Sequence, residues 1–470
     1  MTNTRAATLR RVLEELGLVS LYQSTLDVKI LCLQRFVRLF AYGASTLVLV
    51  SFLRELNISP THIGLFMTLT LAGDVAISFI LAVFADGVGR RSILALGAIL
   101  MVGSGVAFAL CSDYWVLLAA AILGVVSPSG NEVGPFRAIE ESVVAHLTDA
   151  AKRSDVYAWY SLSGSLGTAF GMMTCGWVIQ RLNDSLSWEP VEIYRLVFYG
   201  YAAAGILKTI LVFMLSDAVE LEPRPRNDTP APSAANGDET APLIPGDRSQ
   251  EESTRKHPKR TWLPNISKQS VSVASTLCLL FALDSFASGI ASMSWITYFF
   301  KSRYNIKEGK LGSLFFVTSI IAAASMLVAS SLAKRFGDVK TMVFTHLPSA
   351  IFLALIPVPG EVHGSIVFLI LRSCTQSMDV APRSAFLAAI LLPEERTVVM
   401  GLVNVAKTTS QTLGPLITGV LADSNALWVA FIVAGSLKAC YDLGLLALFK
   451  NHERDRAHEV RDDQEARHAG

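Results

Sequence analysis

The stretch Ala85-Asp-Gly-Val-Gly89-Arg90-Arg91-Ser-Ile93-Leu-Ala-Leu-Gly-Ala-Ile-Leu-Met-Val-Gly-Ser-Gly-Val-Ala-Phe-Ala-Leu-Cys111 joins a charged turn to an uncharged run, Ile93–Cys111. An α-helix rises about 1.5 Å per residue, so about 20 apolar residues cross the ~30 Å hydrocarbon layer of a bilayer. Tyr157–Ile179 and Leu311–Ala333 are similar in length and equally free of charge. Over the whole chain 52% of residues are apolar and 17% charged, with a mean hydropathy of +0.45. A soluble domain carries about 25% charged residues. A water-soluble enzyme, a nucleic-acid binder and a disordered protein are thereby excluded, and a polytopic membrane protein is expected. The net charge of +1 says nothing about partners, because in membranes the placement of charge matters and its sum does not.

Working outward from that stretch, the pattern predicts spans at about 28–53, 62–84, 92–111, 114–146, 156–180 and 193–215. A second set follows at about 270–300, 309–333, 340–358, 364–391, 398–422 and 426–449. Turn residues separate them, among them Asn57–Pro60, Asn183–Pro190, Pro357–Gly360 and Asp423–Asn425. The expected organisation is a tail (1–27), a six-helix half (28–216), a linker (217–269), a second six-helix half (270–450) and a second tail (451–470). The linker holds eight of the eighteen prolines and too little apolar surface to fold. Short loops alone leave Lys and Arg nearly balanced between the two sides. The tails and the linker break the tie and place both termini in the cytoplasm. No apolar run precedes about residue 30, so no cleaved signal peptide is expected. The six cysteines read as small buried side chains, and neither a metal site nor a cofactor is expected.

The two halves repeat. Ala85-Asp-Gly-Val-Gly89 after span 2 matches Ala333-Lys-Arg-Phe-Gly337 after span 8 at an offset of 248. Pro135-Phe-Arg137 matches Pro382-Arg383, and Gly164-Ser-Leu-Gly167 matches Gln411-Thr-Leu-Gly414, at 246–247. Such duplications put a substrate path between the halves near the bilayer midplane.

The turn Ala82-Val-Phe-Ala85-Asp86-Gly87-Val-Gly89-Arg90-Arg91 resembles the signature loop of the major facilitator superfamily. Asp86, Gly89, Arg90 and Arg91 fit that pattern, while Ala82 and Gly87 depart from it. The segment Ser127–Glu141 is similar to that of a poorly characterised fungal and microbial subgroup. The resemblance implies an all-α integral membrane protein with 12 transmembrane helices in two pseudo-symmetric six-helix halves, the major facilitator fold. It also implies a cavity lined by spans 1, 4, 7 and 10, and a gating loop in which Asp86 faces the positive end of span 11.

Charge inside a span costs about 2.5–3.5 kcal/mol on insertion scales and needs a reason. Span 1 carries Arg35 and Arg38, span 4 Glu132 and Arg137, span 7 Asp284, and span 10 Arg372 and Asp379. These seven are the candidate cavity residues. Glu132 and Asp379, 247 apart, are the candidates for proton coupling, because a partly desolvated carboxyl exchanges protons near neutral pH. Ion pairs of Glu132 with Arg38, or of Asp379 with Arg372, are the bland alternative. Arg383, Glu140 and Glu141 fall near helix ends, where snorkelling to water is expected. Asp74 is expected to pair with a span 1 arginine or with Lys407, Lys438 and Asp442 to pair along their own helix, and the span 5 glycines to pack at the interface of the halves. The surplus of arginine favours an anionic or zwitterionic substrate.

The expected function is secondary active transport of a small organic solute by alternating access, coupled to protons, with no enzymatic activity. The rival is a membrane sensor or scaffold on the same fold. Expected partners are the substrate, protons and the lipid bilayer, with no nucleic acid. Glu239, Leu243 and Ile244 fit an acidic dileucine signal for cytosolic sorting adaptors, which suits a vacuolar or endosomal membrane as well as the plasma membrane.

Overall fold

The computed structural model describes residues 18–124, 126, 135–149, 152–185, 188–220, 268–391 and 395–469. Among them the chain is helical, with no strand. The first half contains α1 (Leu18–Gln23), α2 (Leu26–Glu55), α3 (Pro60–Val88), α4 (Arg90–Leu110), α5 (Tyr114–Leu123), α6 (Pro135–Leu147), α7 (Arg153–Ser185) and α8 (Pro190–Phe213). The second contains α9 (Lys268–Ile290), α10 (Met293–Tyr304), α11 (Glu308–Phe336), α12 (Asp338–Leu355), α13 (Val362–Thr375), α14 (Val380–Ile390), α15 (Arg396–Asp423) and α16 (Leu427–Ala469). Among the described residues, eight segments are long and apolar enough to cross a membrane. Helices suit this setting because they satisfy every interior backbone group within one segment.

Three expected spans differ from single helices. Residues 114–146 form α5 and α6, 270–300 form α9 and α10, and 364–391 form α13 and α14. The breaks at Ala291–Ser292 and at Gln376–Asp379 leave backbone groups without helical partners inside the second half. The last helix also continues to Ala469 through the segment expected as a tail.

The repeat extends to the turns. Gly89 and Gly337, 248 apart, have φ of 93° and 85° and turn α3 into α4 and α11 into α12. Asn57 and Asn305, also 248 apart, have φ of 59° and 48° and end α2 and α10. Glycine and, less readily, asparagine adopt this left-handed backbone, which explains their placement. Packing repeats too. Helix α2 lies on α7 and α8, as α9 lies on α15 and α16, while α4 pairs with α8 as α12 pairs with α16.

The halves meet through α3 with α15, α7 with α11, and α10 with α2. Their hydrogen bonds cluster at the end of the bundle away from the termini. Thr61 donates to Asp423 at 2.8 Å, the Leu416 N–H to Thr68 at 3.1 Å, and the Trp177 indole to Ser313 at 2.8 Å. Lys301 reaches Tyr194, and its ammonium lies 2.8 Å from Glu308. At that end the halves are packed shut.

The span 5 glycines divide between two tasks, which corrects the expectation. Gly167 and Gly171 press on α2 within the first half, where an added Cβ would sit 2.5 Å from Phe36 O and 2.0 Å from Phe40 O. Gly176 serves the interface, with Glu308 O at 2.3 Å and Gly312 Cα at 3.2 Å from such a Cβ. Gly176→Val is therefore expected to cost about 1–3 kcal/mol and to lower the melting temperature of the detergent-solubilised protein. Gly103→Ala, whose Cβ would meet nothing within 4 Å, is the control and leaves it unchanged or higher.

Candidate functional site

Two buried charge clusters, one in each half, hold most of the ionic side chains of the bundle interior. In the first half the carboxylate of Glu140 on α6 is fully buried. Arg38 on α2 donates to it at 2.6 Å, Lys208 on α8 lies 3.4 Å away, and the Tyr160 hydroxyl on α7 donates at 2.6 Å. The Arg35 guanidinium stacks over the Tyr160 ring, 4.2 Å from its centroid. Glu140 is thus the centre of the cluster and not a snorkelling residue. Arg137 instead pairs with Glu141 at 2.7 Å, one turn along an exposed face of α6. Glu132 lies outside the described residues.

In the second half the central carboxylate is Asp284 on α9. Lys438 on α16 donates to it at 2.6 Å and Arg383 on α14 at 3.3 Å. Arg383 also binds Asp379, one turn earlier, and lies over the Phe281 and Tyr441 rings. His346 on α12 places Nδ1 3.0 Å from both oxygens of Asp442 and Nε2 3.9 Å from Asp284. Three expectations are corrected here. Asp379 pairs with Arg383 and not with Arg372. Lys438 turns away from Asp442, because Asp284 and the Ser288 hydroxyl at 2.7 Å lie on the facing helix. Arg383 is an interior ion-pair partner and not a residue at a wet helix end.

A cavity of about 330 Å³ opens beside this second cluster. Asp284, Arg372, Asp379, Arg383 and Lys438 line it, together with His346, Ser292, Ser349 and Gln376. It lies at both helix breaks, between α9/α10, α12, α13/α14 and α16. The cavity is therefore set within the second half and takes in helices beyond the expected spans 7 and 10.

The cations lining the cavity outnumber the carboxylates by one, and the unmatched cation is Arg372. No carboxylate lies within ion-pair reach of it among the described residues, and its buried Nε has no hydrogen-bond partner. Ser292, preceding the first turn of α10, is also buried with its hydroxyl unpaired.

Asp74, in the middle of α3, has neither expected partner. It is 1% exposed, and neither carboxyl oxygen accepts a hydrogen bond. The adjacent Gly73 faces Ile122 within the first half, whereas Lys407 lies 5.8 Å over the Phe281 ring in the second.

At the termini end, Gly89 is followed by the first turn of α4, whose Arg90 and Arg91 N–H groups donate to Glu220 at 2.8 and 2.9 Å. Arg91 also donates to Phe213 O at 2.7 Å and lies 3.4 Å from Asp217. The first linker residues thus clamp the turn between α3 and α4 to the first half. The side chain of Asp86, and the segment holding Glu239, Leu243 and Ile244, lie outside the described part of the structure.

Sequence reasoning missed His346 and Lys208. A signal for the lysine exists: Gly205 and Lys208 in α8 match Gly435 and Lys438 in α16 at a common offset of 230. Glu140→Gln leaves two buried cations without a carboxylate and is expected to cost about 3–5 kcal/mol, seen as a large fall in melting temperature. Asp74→Asn removes no partnered charge and is expected to change stability by less than about 1 kcal/mol in the same measurement.

Residues 31–278 and 277–468 match the family model of the Major Facilitator Superfamily. An uncharacterized membrane protein of Saccharomyces cerevisiae is 39% identical over 429 residues, 90% of this chain and 94% of the relative. Among solved structures, a bacterial homologue of the iron transporter ferroportin in an inward-facing state aligns with a TM-score of 0.67 at 10% identity, over 90% of this chain and 99% of that one. The nucleoside transporter NupG aligns at 0.62 and 13% identity, over 91% and 100%. The inward-open xylose transporter XylE from E. coli aligns at 0.62 and 13%, over 89% and 95%. At these identities the solved structures share the fold, and the matches over both halves show that this chain belongs to the major facilitator superfamily of membrane transporters.

Proposed function

We propose that the chain is a secondary active transporter that moves a small anionic or zwitterionic organic solute by alternating access, coupled to protons. The observation that carries the substrate class is Arg372. Arg38, Arg137 and Arg383 each spend their charge on a carboxylate of the chain, whereas Arg372 meets none among the described residues and lines the 330 Å³ cavity. A guanidinium there suits a carboxylate or phosphate through its paired donors. The unpaired Ser292 hydroxyl, at the start of α10, adds a further donor.

Alternating access is supported by the pattern of contacts between the halves, concentrated at one end of the bundle. With both termini in the cytoplasm, as proposed, that end is the outer one, which supports reading this conformation as inward-facing. Proton coupling is supported by the number of carboxyl groups held within the bundle. Of the two proposed carriers, Asp379 is bound to Arg383, so its exchange requires that pair to open. Glu132 keeps its proposed role from its repeat position alone. The dileucine segment would bring a sorting adaptor to the linker and direct the protein to a plasma, endosomal or vacuolar membrane.

The test is uptake into proteoliposomes under an imposed pH gradient, using labelled lactate, succinate, glutamate and glucose 6-phosphate. Uptake of at least one of them is expected, with Arg372→Gln lowering it tenfold or more and Arg372→Lys retaining part of it. Wild-type rates in Arg372→Gln would sink the anion assignment.

A further inference from the structure

We propose that His346 and Asp442 form a proton-binding site at the back of the cavity, which takes up one proton at His346 Nε2 in each transport cycle. The inference rests on the transporter reading for its role in coupling and on the geometry of the pair for its existence. Asp442 is fully buried, and among the described residues its one charged or polar partner is His346, whose Nδ1 lies 3.0 Å from both carboxylate oxygens. The lysine one turn away, Lys438, gives its ammonium to Asp284 and Ser288. Asp442 therefore has no permanent cation. A buried carboxylate without one is unfavourable, and a proton on its imidazole partner relieves the cost.

Histidine is the side chain whose ordinary titration lies near physiological pH. Here its two nitrogens have different surroundings. Nδ1 is committed to Asp442, while Nε2 faces Asp284 at 3.9 Å, and His346 lines the cavity. The step is balanced: hydronium in the cavity gives a proton to the Nε2 lone pair and leaves water, and the pair passes from a net charge of −1 to 0. Release reverses it.

The charged and polar groups around the imidazole are Asp284 from α9, Arg372 from α13, Arg383 with its partner Asp379 from α14, and Lys438, Tyr441 and Asp442 from α16, the Tyr441 ring lying edge-on at 5.9 Å. Arg383 and Lys438 are already matched to Asp284 and Asp379. The charge left to vary is that of the pair itself and of whatever occupies the cavity beside Arg372. An anion bound there cancels the unmatched cation, so losing the proton then costs more. Anion and proton consequently bind together. Asp442, which does not line the cavity, acts through the imidazole and is a positioning residue.

The direct test needs no solute. Infrared difference spectra of the purified full chain in lipid nanodiscs, taken between pH 5 and pH 8, are expected to contain an imidazole protonation signal that His346→Gln removes. Asp442→Asn is expected to change that signal, and Asp442→Glu to restore it. An unchanged spectrum in His346→Gln, or an unchanged signal in Asp442→Asn while Asp442→Glu folds normally, overturns the site. The coupling arm uses whichever of the four labelled anions the wild type accumulates. In His346→Gln the ratio of pH-driven accumulation to gradient-free exchange of that anion, both measured in the same variant, is expected to fall at least tenfold. A wild-type ratio overturns the coupling role. Failure of the wild type to move any of the four leaves the infrared result standing and counts against the transporter reading instead.

Discussion

A charge inside hydrocarbon has to be answered by another charge, and the interior of this protein is organised around that requirement. Each half answers it in the same way, with one buried carboxylate held by two cations from two other helices. In the first half the acid, Glu140, comes from span 4 and the cations, Arg38 and Lys208, from spans 1 and 6. In the second half the acid, Asp284, comes from span 7 and the cations, Arg383 and Lys438, from spans 10 and 12. Spans 1, 4 and 6 correspond to spans 7, 10 and 12 in the repeat. The cluster thus draws on the same three helices of the repeat in both halves, with the acid on span 4 in the first and on span 7 in the second.

The two clusters differ in what surrounds them. The first is closed by Tyr160, whose hydroxyl and ring fill the space between Glu140 and Arg35. The second lies against a cavity at two helix breaks and carries a further acid, a histidine and an arginine beyond its central triad. Arg372 lines that cavity with no carboxylate in ion-pair reach among the described residues, so it has charge to offer a ligand, which is why the proposed binding site lies in the second half.

Close packing makes the arrangement possible. Glycines at the α2–α7 and α9–α15 crossings bring backbones into direct contact, as where the Cβ of a side chain at Gly414 would stand 2.3 Å from Gly289 C. The same device at Gly64 and Gly419 joins the halves at the end away from the termini. Helices that approach this closely hold their facing side chains at fixed separation, which lets short ion pairs persist without water. The turn glycines Gly89 and Gly337 turn the chain with similar backbone angles in both halves.

The sequence alone determined the membrane class, the six-plus-six duplication and the family, because length, hydropathy and repeated turns are properties of the chain read in order. It also marked Arg35, Arg38, Asp284, Arg372 and Asp379 as costly charges that needed partners, since the price of burial does not depend on which partner answers. It could not name the partners. Lys438 and Asp442 stand one turn apart and read as a pair, yet each turns to a different helix, because Asp284 and His346 face them across the packed bundle. Glu140 and Arg383 read as helix-end residues, and only the depth of their helices in the fold buries them. His346 carries no fixed charge and so left no mark in a charge count. Which cation stays unmatched, and where a cavity opens beside it, was decided by tertiary structure, because ion pairing depends on distances between helices far apart in the chain.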